Sequence, residues 1–359
     1  MDLLRDWFKR SFSDPQVVIL GIVLLVFFAV IFGLGAWLAP MFAAIVIAYL
    51  LEAVVGRLQK YGIPRMLAVI IVFLLFLTVL FFLLFGLIPL ITRQLTQLVQ
   101  QTPAYIAQGQ ELLKALPENY PDLISVEQVQ AITAKLGQEL GNLGQQLLGW
   151  SLSSVASIIG LVVFLVLVPV LVFFLLKDKE LMVGWISDRL PKERSLVDRV
   201  WTESEAQIAN YVRGKAGEIV IVGAVSYVTF VSLGLQYSVL LATMVGFSVL
   251  IPYIGAAVIT LPIAFVAYFQ WGWGWSFGQV MIAYAVIQAL DGNVLVPLLF
   301  SEALNLHPVA IIVAILVFGG FWGFWGVFFA IPVSYTHLRA HETERLISYA
   351  VFCLKKGGG

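Results

Sequence analysis

Residues 66–90 read MLAVIIVFLLFLTVLFFLLFGLIPL, a stretch without one charged side chain. About 20 apolar residues carry an α-helix across a bilayer, and a helix apolar on every face has to be buried or span a membrane. The stretch reads as a membrane span, and the chain around it repeats the pattern. Residues 16–38 form a first span, 41–55 a shorter return introduced by Pro40 in the turn, and 155–176 a fourth span with Pro169 inside it. Composition agrees. Of 359 residues, 61% are hydrophobic and 12% charged, with a mean hydropathy of +0.97. Soluble domains hold roughly 45–50% apolar and about 25% charged residues, so the surplus has to face lipid. The expected fold class is all-α, a polytopic transmembrane helical protein of about eight membrane segments, some interrupted by Gly and Pro, plus a polar helical insert.

The formal net charge is zero, which gives no ground for nucleic acid as a partner. A single cysteine leaves no disulfide framework and no cysteine-based metal site. The first apolar run is long enough to span and lacks a small-residue cleavage pattern, so it reads as a retained helix.

Basic residues set the expected orientation. Arg5, Lys9 and Arg10 precede the first span, Arg57, Lys60 and Arg65 follow the second, and residues 177–215 hold eight Lys and Arg. The insert 91–150 holds three, against five acidic residues. Four spans with a cytoplasmic N-terminus put every basic loop inside and the insert outside. The chain thus divides into 1–90 with segments 1 to 3, an extracytoplasmic amphipathic insert 91–150, segment 4 at 151–176, a cytoplasmic helical segment 177–216, and a C-terminal membrane domain 217–332. Within the insert, Leu95, Leu98, Val99 and Ile106 recur at helical spacing, as do Ile132, Leu136, Leu140, Leu143 and Leu147. These helices are expected to pack on the protein itself or on a second protomer.

The end of the chain, 333–359, stands apart. VSYTHLRAHET from Val333 resembles a reading frame of a transposase sequencing adaptor, and ISYAVFCL resembles the end of the same kind of library sequence. These residues are set aside from fold reasoning as a translation artefact, with the native C-terminus expected to lie beyond Pro332 in another sequence. Cys353, His337 and His341 go with them, leaving His307 as the native histidine.

From 216 to 332 only Glu218, Asp291 and Glu302 are charged, while Pro252, Gly255, Pro262, Gly292, Pro297 and Pro308 interrupt the helical pattern. Interrupted backbone at membrane depth is tolerated where protein or a water-filled cavity satisfies the freed groups. In IPYIG (251–255), Pro252 removes a donor and Gly255 relaxes φ, so the helix is expected to break there, as a binding feature around Tyr253 or as a plain interhelical turn. Asp291 is a membrane-embedded carboxylate, a functional candidate by default, although a helix cap is the plainer reading. Asn293 beside it offers a donor and an acceptor. No Lys or Arg lies between 216 and 332, so a nearby salt bridge is not expected, and Arg213 is the distant partner considered. His307 could relay protons or simply start a helix. Arg213 and Lys215 read otherwise as headgroup anchors or helix caps, and Trp271, Trp273 and Trp275 as an interfacial belt. Gly319, Gly320, Gly323 and Gly326 allow close helix approach or a hairpin.

The order of these motifs resembles one family. YVRG (211–214), IPYIG (251–255), DGNVLVP (291–297), LNLHP (304–308), FGGFWGFWG (318–326) and AIP (330–332) follow AP (39–40), AYLLEAVV (48–55) and GIPR (62–65). Together they resemble the autoinducer-2 exporter family of bacterial inner-membrane transporters, over about residues 16–332. Glu52 departs from the asparagine expected in AYLLEAVV. The resemblance implies export of a small polar solute, such as an autoinducer-2-like signal, with Na⁺ or H⁺ as coupling ion and no cofactor; Na⁺/H⁺ antiport is the alternative within the family. The substrate or ion candidates are Asp291, Asn293, Pro252, Tyr253, Gly255, His307 and Glu302, with Arg213 for coupling. Partners expected are the lipid bilayer, the solute, and further copies of the chain in a homo-oligomer such as a ring.

Other classes compete less well. No GxxxxGK[ST] stretch supplies ATP binding. No HExxH is present, and an aspartyl mechanism needs paired carboxylates, which argues against an intramembrane enzyme. A non-transporting scaffold or regulator, working through the insert, is the remaining alternative.

Overall fold

A computed structural model describes residues 15–119, 155–189, 195–300 and, with gaps at 310 and 322, 309–328, besides four positions between 131 and 138. The described residues are helical, without strands. Helix α1 is Pro15–Lys60 and α2 is Arg65–Phe82, followed by a π-helical turn Leu83–Leu87 and α3, Ile88–Asn119. Next come α4 (Val155–Lys177), α5 (Lys179–Ser187), α6 (Ser195–Ser232), α7 (Ser238–Ser248), α8 (Ile254–Trp271) and α9 (Trp275–Leu290). A second π turn, Asp291–Leu295, leads into α10 (Val296–Leu299), and α11 is Ile311–Phe321.

Six helices among the described residues are long and apolar enough to cross a membrane, fewer than the eight segments expected. The difference has physical sources. Residues 16–38 and 41–55 do not form a hairpin: α1 runs through both for 46 residues with Pro40 inside it. A proline lacks one donor, but a helix in lipid keeps its remaining bonds because no water competes for them. The third span likewise does not end at Leu90. Its helix passes through the first π turn into α3, so one continuous helix runs over Arg65–Gly109 and carries the apolar stretch in its first half. The two remaining short apolar helices, α7 and α11, fall below spanning length. The C-terminal segment 333–359, and Ile132, Leu136, Leu140, Leu143 and Leu147 of the insert, lie outside the described residues.

Both π turns have the same local cause. In each, a proline sits two residues past the turn, Pro89 after Leu83–Leu87 and Pro297 after Asp291–Leu295. A helical proline lacks its own N–H and its ring crowds the carbonyl four residues back. The backbone responds by widening one turn, so that Ile88 N–H bonds Leu83 O and Val296 N–H bonds Asp291 O, five residues away. Gly292 and Pro297, expected to break the chain, bulge it instead. The break at IPYIG is real: α7 ends at Ser248 and α8 starts at Ile254.

Two helical clusters result. Val55, Val69, Val72, Val172 and Leu176 pack α1, α2 and α4 together. Leu241, Val245, Ile263, Val266, Val280 and Ile287 pack α7, α8 and α9 with α6. Tyr211, Val212, Leu250 and Phe300 pack against Val46, Tyr49 and Leu50 of α1 and join the two. Between lipid-facing helices such contacts act through close packing rather than water exclusion. Gly246 of α7 faces α6 so closely that a Cβ there would lie 2.9 Å from Ile219 O.

The insert's first helix packs on its own chain. Ile91, Leu95 and Leu98 of α3 rest on the second cluster, and Tyr105 meets Phe265 edge-on at 5.5 Å. Gln94 Oε1 accepts the Leu240 N–H at 2.8 Å, satisfying one free donor at the start of α7. Gln101 Oε1 accepts from the Tyr105 and Tyr237 hydroxyls, both at 2.7 Å. Burial, with the Tyr105 hydroxyl beside it, holds the Tyr237 hydroxyl above the usual phenol range, so it stays a neutral donor. At another end of the molecule, Arg65 donates to Leu176 O (2.9 Å) and Glu52 (3.2 Å), and Lys179 lies 3.9 Å from both Glu52 and Glu205. The departure at Glu52 therefore sits between Arg65, which starts α2, and Lys179, which starts α5.

Candidate functional site

Helix α6 carries Tyr211, Lys215 and Glu218 at spacings of four and three, which puts them on one face. All three are buried: Tyr211 is 4% exposed, Lys215 5% and Glu218 2%. Gly214 allows this, because a Cβ there would run into the Phe300 ring. Phe300 seats beside Lys215, whose ammonium lies 5.3 Å from the ring centre.

Opposite this face stands the break between α7 and α8. The chain turns at 249–253, with Ile254 N–H on Pro252 O (2.7 Å) and Gly255 N–H on Ile251 O (2.8 Å). Tyr253 takes φ 63°, a conformation that side-chain-bearing residues rarely adopt and that persists only where the surroundings enforce it. Gly255 is required here, since a Cβ would overlap the Ser248 carbonyl oxygen. We expect Gly255→Ala to force the two helix ends apart at a cost of about 1–3 kcal/mol, read as a lower midpoint in a thermal melt in detergent. An unchanged midpoint would mean that the break relaxes freely.

The third wall is the end of α9 and its π turn, with Gln288 and Asp291. π turns inside α-helices recur at functional sites because they displace side chains from the regular register. These walls enclose a cavity of about 420 Å³, also reached by Ser248, Pro252, Tyr253 and Ile311. That volume lies within the range of about 300–1,000 Å³ for small-molecule sites.

Its polar chemistry is unbalanced. Lys215 Nζ donates to Val249 O at 2.9 Å, at the C-terminal end of α7. The same nitrogen lies 2.7 Å from Glu218 Oε2, so the two charges are in direct contact. Tyr211 Oη, Gln288 Nε2 and Asp291 Oδ1 are buried without a hydrogen-bond partner among the described residues, and Glu218 Oε2 has the Lys215 ammonium against it. Unpaired buried polar atoms carry a desolvation cost of about 1–3 kcal/mol each, and their clustering around one cavity is what a polar ligand or ion would relieve.

Of the residues singled out in sequence, Asp291, Pro252 and Tyr253 line this cavity, and Gly255 packs directly behind it. Asn293 does not line it: its side-chain amide donates to Ala289 O at 2.8 Å on the exposed side. Arg213 points its Nε to Ala209 O (2.9 Å) and is not among the lining residues. His307 and Glu302 lie outside the described residues. Lys215 is no headgroup anchor; burial takes it inward, where it caps α7. A basic residue does share the site of Asp291: Lys215, one position ahead of the 216–332 stretch that lacks Lys and Arg. Lys215 and Glu218 are a Lys-x-x-Glu pair one turn apart on a helix heading into an apolar segment, and that spacing was the signal for them. Among the described residues no group of three or more His, Cys, Asp and Glu is placed to hold a metal ion.

A family model described as AI-2E family transporter matches residues 20–343. The chain is 44% identical over 334 residues to a protein of Escherichia coli K12 named "Putative permease PerM", covering 93% of this chain and 95% of that one. It is 28% identical over 299 residues to "Putative transport protein YueF" of Bacillus subtilis, covering 82% of this chain and 80% of that one.

Proposed function

Because this chain belongs to the AI-2E transporter family, we propose that it is a secondary transporter of the bacterial inner membrane that exports a small polar solute, of the autoinducer-2 kind, coupled to an ion. The observation that carries the reading is the cavity between α6, the α7–α8 break and the π turn at Asp291, with two carboxylates, one ammonium and unpaired buried polar atoms around it. Helix breaks near the membrane midplane expose backbone dipoles that hold ions and polar solutes in transporters. Charged groups inside a membrane protein mark solute and ion pathways. The clustering of Arg65, Lys177 and Lys179 where α2 and α4 meet supports placing that end in the cytoplasm.

The test uses the purified full chain in liposomes, with a pH or Na⁺ gradient imposed across the bilayer and a panel of small labelled polyols inside. Gradient-driven polyol efflux above empty liposomes is expected. Movement of Na⁺ against H⁺ with no polyol efflux would replace solute export by cation antiport. No movement of either would sink the transport reading in favour of a scaffold.

A further inference from the structure

We propose that Glu218 is a proton-binding site and Lys215 its tethered counter-cation, and that proton uptake at Glu218 releases Lys215 toward Asp291 and unfastens the α7–α8 break. This deepens the reading of the cavity as a transport site and rests on it. Glu218 itself was not among the sequence candidates.

The first support is burial. Glu218 is 2% exposed and Lys215 5%, so neither charge keeps its hydration. A buried ion pair stands only where attraction and further hydrogen bonds offset that desolvation. Here the offset comes from one ammonium shared between Glu218 Oε2 at 2.7 Å and Val249 O at 2.9 Å, while Tyr211 Oη and Asp291 Oδ1 in the same cavity have no hydrogen-bond partner among the described residues.

The second is number. Among the described residues, two carboxylates and one ammonium line the cavity. Among the described residues, the titratable groups that share the cavity with Glu218 are Lys215 and Tyr211 from its own helix, Asp291 from the π turn, and Tyr253 from the break. When a proton from water binds the Glu218 carboxylate, one negative charge disappears and Asp291, with Oδ1 unbonded, is the anion left. Lysine carries its charge on a flexible four-carbon stem, so the ammonium can follow.

The third is what the ammonium holds. Val249 is the C-terminal cap of α7, where helix-end carbonyls gather partial negative charge. The 2.9 Å bond from Lys215 fastens that end to α6 across 34 residues. Beyond it lie Tyr253 at φ 63° and Gly255 pressed on Ser248. Backbone in such conformations persists only while its surroundings hold it. Loss of the Lys215 bond removes one of those holds and lets the break move.

Ser248 reports on this, being buried, adjacent to the break and part of the cavity wall. In a Cys353→Ser background, Ser248→Cys is labelled with N-ethylmaleimide, and its rate is divided by that of Gln108→Cys, an exposed site that corrects for ordinary thiol ionisation. The corrected rate is expected to rise about ten-fold on going from about pH 8 to about pH 5.5. Glu218→Gln, which mimics the protonated acid, is expected to label fast at both. If that variant does not run as a single species on size exclusion, Lys215→Met/Glu218→Gln takes its place with the same expectation. A corrected parent rate flat with pH, or slow labelling in the folded neutral variant, overturns the proposal. Polyol flux with flat labelling would sink the proton lock and leave transport standing; pH-dependent labelling without flux would do the reverse.

Discussion

Replacing Lys215 by methionine is expected to destabilise the protein by about 3–5 kcal/mol, the usual cost of breaking a buried ion pair from one side. The substitution keeps the length of the stem and its apolar contacts while stranding Glu218, which is 2% exposed and whose Oε2 has the Lys215 ammonium 2.7 Å away. It also leaves the Val249 carbonyl without its ammonium donor. Against a total stability of about 5–15 kcal/mol, that is a large fraction, so low yield and a sharply lowered melting midpoint in detergent are expected. Lys215→Met/Glu218→Gln should recover most of the loss, because no buried charge is then left uncompensated. If the single variant melts with the parent, water reaches Glu218 and the pair is not buried in solution. If the double variant is as unstable as the single one, packing around the lysine stem rather than charge is responsible.

Asp291→Asn is expected to leave the fold intact and abolish gradient-driven flux, by at least about ten-fold. A charged residue at membrane depth costs roughly 2.5–3.5 kcal/mol on insertion scales, so removing the charge should not hinder insertion. Asparagine keeps the shape, and the π turn depends on Pro297 and on the Val296 N–H to Asp291 carbonyl bond, which the side chain does not touch. What disappears is the second anion of the cavity. Lys215 then has Glu218 alone, and the exchange of partners cannot occur. The measurement pairs proteoliposome flux with size exclusion. Flux equal to the parent at equal protein would demote Asp291 to a bystander in the turn.

How far these features could be read beforehand depends on how local their causes are. The spans were legible because lipid demands long uncharged runs, and the break at 249–253 because Pro252 and Gly255 are chain-stiffness signals that act where they stand. Pro40 misled for the same reason. Its local preference for a turn lost to the continuous hydrogen-bond ladder of α1, a contest decided by the medium. Asp291 was marked by being charged in an apolar segment, yet its companions were not, since Lys215 looked like the last member of a basic loop. Its burial follows from Phe300 and Val249 folding over α6 from positions far along the chain. Tyr211 stood out only as the first residue of YVRG, and nothing there marked its hydroxyl. An aromatic at helical spacing reads as packing, and only the cavity shows its hydroxyl to be unpaired.

Each proline-induced π turn holds one residue more than the α-helical count would allow, and a residue advances the helix by about 100°. Everything after Leu295 is therefore out of phase with everything before Asp291, and so are the residues on either side of Leu83–Leu87. Five residues in such a turn cover about the rotation that four cover in an α-helix, so removing one residue from a turn restores the plain ladder and leaves the downstream helix in phase. A deletion elsewhere in these helices has no slack turn to absorb it and swings the downstream faces through more than a quarter turn, so the chain's length is negotiable at these two addresses and fixed beside them.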